Sequence, residues 1–307
     1  MRIIFAGTPD FAVPALQALL NSEHTVVGVY AQPDRPSGRG RKLQNGPVKA
    51  LALSANIPVY QPENLKAQAD IDSMRALKAD LMVVVAYGLI LTQTVLDIPN
   101  LGCINIHGSL LPRWRGAAPI NRAIIAGDKE SGITIMRVVK KLDAGNMLYK
   151  QKCLIGEYET ASELHDRMMH MGAEALLEVL KQIKSAALID EVQDESLVTY
   201  AHKLDKAEAK LDWSRSAVEL SRQICGLNAW PVAQTTLDGA TVRVWSAVVL
   251  DEQSGLSCGV ILDNPKHIDV VTGDGVLRLM EIQMPGKKRT LVSAYLNAHS
   301  VAGKQFI

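Results

Sequence analysis

Asn105 and His107 stand two residues apart in the run Cys103-Ile104-Asn105-Ile106-His107. In an extended chain that spacing turns both side chains to one face. A third group, Asp143, follows in the polar turn Leu142-Asp143-Ala144-Gly145, after the next strand-like run. An amide, an imidazole and a carboxylate that converge on one point suit acyl transfer without a covalent enzyme intermediate. The Asn105 amide and a ring N–H of His107 would donate to an oxygen as charge develops on it. Asp143 would orient the imidazole and accept a proton from an attacking amine, directly or through water. Neither a serine elbow nor a poised Cys-His pair is expected, so direct attack by the acceptor is favoured over a ping-pong route. Between these groups lies Arg113-Trp114-Arg115-Gly116-Ala117-Ala118-Pro119, a mixture of cations, an aromatic and small residues that opens a helix.

These residues need a scaffold, and the surrounding pattern supplies one. Arg2–Ala6, Thr25–Ala31, Leu81–Tyr87, Gly102–Ile106 and Gly132–Val138 read as strands of nearly continuous apolarity, as in a parallel sheet covered on both faces. Phe11–Leu20, Gly46–Ala55, Ile71–Leu77 and Pro119–Ala126 read as helices between them, and about Thr160–Ser185 as a longer one capped at Thr160 or Ser162. The rhythm predicts an α/β fold, a doubly wound, mostly parallel Rossmann-like sheet, with ligands at the carboxyl ends of its strands. The first βα turn, Ala6-Gly7-Thr8-Pro9-Asp10, has one glycine where a dinucleotide fingerprint needs three, so a plain tight turn is expected there. After a polar stretch come short strand-like runs, Val232–Leu237, Thr241–Leu250, Gly259–Leu262, His267–Thr272 and Val276–Gln283, split by turn signals. They predict a small OB-like β-barrel. The expected domains are 1–187, a linker over 188–207, and 208–307.

The 307 residues carry 33 Lys plus Arg against 32 Asp plus Glu, a formal charge of +1, which excludes a generally basic nucleic-acid coat but not a local basic patch. The apolar run Leu81–Leu91 falls short of a membrane span. Cys103, Cys153, Cys225 and Cys258 are scattered, without metal-ligand spacing, so buried reduced thiols, a cytoplasmic location and no metal are expected. One loop stands out. Asp34–Lys49 holds Arg35, Arg39, Arg41, Lys42 and Lys49 against Asp34, a local charge of +4, with Ser37-Gly38-Arg39-Gly40 at its centre. A solvated loop accounts for such a run; so does a segment that orders on a phosphate backbone.

The strand–NIHGSLLP–RWRGAAP run followed by the LDAG turn resembles the 10-formyltetrahydrofolate-dependent formyltransferases. The likeness extends over essentially the whole chain, through RIIFAGTPDFA, QPDRPSGRGRK, VVVAYGLIL, KLDAGNMLY, VTYAHKLDKAEAKLDWS and VVTGDGVL. Within the family the chain is similar to members whose acceptor is methionyl initiator tRNA. The resemblance implies a catalytic trio at Asn105, His107 and Asp143, and 10-formyltetrahydrofolate as co-substrate with tetrahydrofolate as product. It places the folate-binding signature at Ser109, Leu110, Leu111 and Pro112. Tyr87, Gly88, Leu89 and Ile90, with the loop Val139–Asp143, would border the pterin pocket; sheet-end packing explains these residues equally well.

For the acceptor, the resemblance implies that Arg39 reaches into the acceptor stem, with Arg41 and Lys42 on phosphates nearby. A second basic spot, Lys287-Lys288-Arg289, would hold the tRNA backbone. Trp213, Trp230 and Trp245 are expected to be packing residues. A monomer is expected. Three alternatives stay open: a sugar-nucleotide formyltransferase, which would have no need of the basic loop; a tRNA-binding protein with an inactive folate site; and a formyl-folate hydrolase.

Overall fold

The computed structural model describes residues 1–37 and 42–307. The chain divides into two compact units. The first comprises Met1–Gly116, Ser131–Cys153 and His165–Tyr200; the second comprises Ala117–Glu130, Leu154–Leu164 and Ala201–Ile307. The division is not linear in sequence. The helix Pro119–Ala126 lies in the second unit because it packs on the helix Ala217–Gly226. The Asn121 amide donates to the Gly226 carbonyl at 2.7 Å, and a Cβ on Gly226 would come within 2.5 Å of Ile125. The stretch 188–207 is shared between the units, through Tyr200 with the first and from Ala201 with the second.

The first unit is built on a seven-stranded sheet in the order Met147–Leu154, Glu130–Arg137, Cys103–His107, Leu81–Val85, Arg2–Gly7, Thr25–Tyr30, Val59–Tyr60. The five strands from Cys103–His107 to Val59–Tyr60 are parallel. Their side chains are buried almost throughout, as continuous apolar runs require when both faces are covered. The run expected as Gly132–Val138 forms the strand Glu130–Arg137 but lies antiparallel to Cys103–His107, with Ile104 opposite Arg137 and His107 opposite Thr134. Continuous apolarity reports two covered faces and carries no direction, so the reversal is invisible to it. The edge strand Met147–Leu154 starts with two buried residues, then alternates half-buried and exposed ones, and has no counterpart among the expected strands.

Helices cover the sheet much where the pattern placed them: Val13–Leu20 after a short 3-10 turn, Pro47–Ser54, Gln68–Ala76 and the 24-residue Ala161–Lys184. Gly172 of the long helix lies against Ile106, where a Cβ would approach Cγ2 to 2.9 Å. Ile106 therefore faces that helix, and its neighbours Asn105 and His107 face the other way. The helix starts at a capping box. Thr160 Oγ1 accepts from the Glu163 amide, and Glu163 Oε2 accepts from the Thr160 amide at 2.9 Å. These bonds hold the Glu163 carboxyl below the usual carboxylate range.

In the second unit, Gln234–Leu237, Ala240–Leu250, Ile268–Val271, Val276–Gln283 and Thr290–Leu291 form one antiparallel sheet. It is a curled half-barrel over a core that includes Trp213, Leu220, Val244, Leu277 and Phe306. Gly259–Leu262, expected as a strand, contributes only isolated bridges, Val260 to Gln305 and Ile261 to Val270. Trp213 stacks on Phe306, as a packing residue should, whereas Trp230 is about half exposed. Cys103 and Cys225 are buried and Cys153 and Cys258 half-buried; burial pushes the Cys103 thiol up to about 12 and that of Cys225 to about 11. Among the described residues no helix is long and apolar enough to cross a membrane.

Thr160→Ala removes the cap acceptor and should lower stability by about 1 kcal/mol, read as a shifted urea midpoint with unchanged slope.

Candidate active site

Asn105 and His107 share one face at the end of the strand Cys103–His107, and the chain then turns through Ser109–Trp114. The turn is tied down from inside. Ser109 Oγ donates to the Arg113 carbonyl at 2.6 Å, while Thr134 Oγ1 donates to the Ser109 carbonyl at 2.7 Å and accepts from the Leu111 amide at 3.1 Å. This brings the Trp114 carbonyl to 2.8 Å from His107 Nε2. A carbonyl only accepts, so Nε2 carries the proton and donates. The remaining ring nitrogen, Nδ1, faces Asp143 Oδ2 at 3.8 Å. The expectation that His107 offers an N–H to a substrate oxygen is corrected here: in the neutral ring the only N–H is already engaged, and Nδ1 is an acceptor. The Asn105 side chain is half-buried, and no described residue hydrogen-bonds to it, which leaves its amide free to donate.

Asp143 does not arrive at a shared strand end, because its strand runs the opposite way. The loop after Arg137 folds back instead, and the Gly116 amide donates to Asp143 Oδ2 at 2.8 Å. Asp143 sits at φ +46°, a left-handed conformation that costs a residue with a side chain. Gly145, two residues on, lies so close to the Arg137 carbonyl that a Cβ would stand 1.9 Å from its oxygen. The turn is held from a distant segment. Gln193 Nε2 donates to the carbonyls of Asp143 at 2.8 Å and Gly145 at 2.7 Å, and Gln193 Oε1 accepts from Arg115 Nε at 2.9 Å. Arg115 is 0% exposed, and its Nη2 donates to Glu195 at 2.8 Å. Glu195 also pairs with Lys141 at 2.8 Å. The Arg115 hydrogen bond, then that from Lys141, holds the Glu195 carboxyl well down, at about 2.

An amide, an imidazole and a carboxylate are thus together, two of them braced by backbone, with the sheet's strand ends beside them. The formyl transferase family profile matches residues 1–180, and the profile of the formyl transferase C-terminal domain matches residues 203–300. The chain belongs to the formyl transferase family. A relative from Methylococcus capsulatus named methionyl-tRNA formyltransferase is 54% identical over 305 residues, 99% of either chain. Among solved structures, the sugar 3N-formyl transferase WlaRD, crystallised with dTDP and 5-N-formyl-THF, superimposes with a TM-score of 0.69 at 18% identity, covering 94% of this chain and 99% of that one. An N-formyltransferase from Helicobacter canadensis, in complex with folinic acid and dTDP-3-aminofucose, gives 0.67 at 16% identity, with 92% and 98% covered. At such identities the two structures speak to fold alone.

In this formyl transferase the other expected residues fall into separate groups. Ser109 and Leu111 are buried, Ser109 bonded to backbone and Leu111 packed with Met136 and Met147, so their side chains shape the turn and present nothing outward. Leu110 and Pro112 are half-buried. The Tyr87 side chain lies in the core with Tyr30, and its carbonyl accepts from the Gln32 amide at 3.0 Å and the Thr8 hydroxyl at 3.4 Å. Leu89 packs on the same core. Gly88 is exposed at φ +79°, and Ile90 is 89% exposed. Val139 and Leu142 on the loop before Asp143 are exposed as well, so this unit offers apolar side chains that a flat heterocycle would cover.

Of the residues expected to meet tRNA, Arg39 and Arg41 lie outside the described residues, and for Lys42 only the backbone is described, in the two-residue strand Lys42–Leu43. At the base of that loop Lys49 pairs with Asp34 at 2.5 Å, which neutralises one of its cations. Lys287 and Lys288 are exposed beside Gly286. The string Gly255-Leu256-Ser257-Cys258-Gly259 spells a nucleophile elbow, against the expectation of none. It lies in turns between two strands with no helix after it, so it lacks the elbow's geometry. Sequence reading missed Gln193 and Glu195, which sit in a polar stretch without period and carry no local signal.

The tie from Glu195 to Arg115 is complete above pH 4.5, the ordinary carboxyl value, and fades as pH falls towards about 2. The stability gap between wild type and Glu195→Gln, read by urea unfolding, should be widest at neutral pH and close progressively below pH 4.5.

Proposed function

We propose that the chain transfers the formyl group of 10-formyltetrahydrofolate to the α-amine of methionyl initiator tRNA by direct attack of the amine. The observation that carries the reaction class is the convergence of Asn105, His107 and Asp143, with Nδ1 of His107 free on the side of the carboxylate. The choice of acceptor is supported by the Methylococcus capsulatus relative, which matches over nearly the full length of both chains. It is supported also by the net +4 loop Asp34–Lys49, which a small acceptor would not require.

On this reading the folate is a co-substrate held by the turn Ser109–Pro112 and by the segment from Tyr87 to Ile90, with Ile90 and the loop Val139–Asp143 against its ring. It supplies an activated formyl carbon. The amine nitrogen bonds to that carbon, and the bond from the carbon to N10 breaks. Asn105 donates to the formyl oxygen while negative charge builds there. His107 meets the amine through Nδ1 and takes its proton; Asp143 meets the charge that this puts on the ring, and the proton passes on to N10. Trp114 holds the ring in the tautomer that makes this possible. Arg39, Arg41 and Lys42 grip the acceptor arm, and Lys287 and Lys288 grip the backbone further along. The enzyme works as a cytoplasmic monomer.

The test is formyl transfer from 10-formyltetrahydrofolate to charged methionyl initiator tRNA, with an amino-sugar nucleotide in a parallel reaction. Transfer to the tRNA alone is expected. Transfer to the sugar alone would keep the chemistry and overturn the acceptor, and release of formate without an acceptor would make the chain a hydrolase. His107→Ala and Asp143→Asn should each lower turnover by roughly 100- to 10,000-fold with little change in folate affinity. Arg39→Ala should impair the tRNA reaction and leave folate binding intact, as read by folate titration. The affinity for tRNA should fall steeply between 50 and 200 mM salt, about tenfold or more for several phosphate contacts.

A further inference from the structure

The reacting carboxylate is set on a backbone that would not hold its own shape. Asp143 adopts a left-handed conformation, and Gly145 is pressed against the Arg137 carbonyl. Two of the carbonyls of this turn, those of Asp143 and Gly145, are both taken by one side-chain amide, Gln193 Nε2. We propose that Gln193, together with the buried Arg115, is the positioning residue that fixes where the Asp143 carboxylate stands relative to His107. The proposal rests on the reading of Asp143 as a reacting group.

The three bonds that matter close a ring. Asp143 Oδ2 accepts from the Gly116 amide; Gly116 is bonded to Arg115, whose Nε donates to Gln193 Oε1; Gln193 Nε2 donates back to the Asp143 carbonyl. The side chain and the main chain of Asp143 are thereby held from opposite ends of one small circuit. The orientation of the Gln193 amide is not a free choice. Turned over, its oxygen would face two carbonyl oxygens and its NH2 would face a guanidinium. Gln193 is 5% exposed, so solvent does not replace a bond that it loses. A glutamate there could still accept from Arg115 but could donate to neither carbonyl, which separates the half of the circuit that holds the turn from the half that accepts from Arg115. An asparagine, one methylene shorter, keeps both kinds of group but cannot span from Arg115 to the turn.

The residue touches neither substrate nor reacting atoms, so a role through Asp143 must show as a dependence on Asp143. The experiment is a double-mutant cycle on formyl transfer, with Gln193→Glu made in the wild-type and Asp143→Asn chains, followed by steady-state kinetics with the folate varied at saturating tRNA. Gln193→Asn serves as the second variant should the charge change prevent folding, and thermal melts confirm that each chain is folded at the assay temperature. The expected result is a fall in kcat on the order of 100-fold in the wild-type chain, as for a misplacement of about 1 Å, with KM for the folate within about twofold. In the Asp143→Asn chain the same change should alter kcat by less than about twofold, since the group that it positions is already gone. Equal fold losses in both chains would overturn the proposal and make Gln193 a packing residue. An Asp143→Asn chain as fast as wild type would instead bring down the reading of the site itself, and with it any role for Gln193 through Asp143.

Discussion

A guanidinium sealed from water is the constraint on which the site depends. Arg115 has no exposed surface, and a charge in that position needs partners; its Nε and Nη2 have them, while Nη1 is buried without one. The partners, Gln193 and Glu195, come from nearly 80 residues further along the chain. To satisfy Arg115 the segment 193–199 must lie on the turn after the strand Cys103–His107, and it does so with further backbone ties, Arg115 to the Thr199 carbonyl at 2.9 Å and Trp114 to the Thr199 hydroxyl at 2.9 Å. Trp114 is in turn the residue whose carbonyl holds His107. The geometry of the imidazole and that of the carboxylate thus answer to the same buried charge.

The site also divides its polar groups into committed and free ones. Ser109, Thr134, Gln193 and the Nε2–H of His107 spend their hydrogen bonds on the protein, and each such bond fixes a turn or a ring. The Asn105 amide and His107 Nδ1 are left over, on one side of one strand. Groups that are oriented before a ligand arrives have little reorganisation left to undergo when charge moves.

The sequence was most legible where chemistry and periodicity are local. Asn105 and His107 fall on one face because the strand alternates, and the helices over the sheet follow their apolar spacing and their caps. Legibility ended wherever distance along the chain decided the outcome. The strand Glu130–Arg137 is as apolar as its parallel neighbours, and only pairing reveals its reversed direction. Asp143 reaches His107 by a loop that folds back from an antiparallel strand, a route that strand order alone does not show. Ser109, Leu111 and Tyr87 sit in a motif that reads as ligand contact, yet their side chains face inward. Gln193 had no signal at all, since a lone glutamine among exposed polar residues looks like any other until its buried partner is seen.

The reach of Arg115 has a consequence for where the catalytic unit ends. Asn105, His107 and Asp143 all lie within residues 1–180, the span of the first family profile. A chain cut after residue 180 would carry each of them and still lack the groups that meet the buried guanidinium and clasp the Asp143 turn. During synthesis the same holds in time: the three candidate groups emerge from the ribosome well before the residues that set them in place. The smallest self-supporting piece of this unit is therefore defined by its last hydrogen-bond acceptor, Thr199, and not by the last of the three candidate side chains.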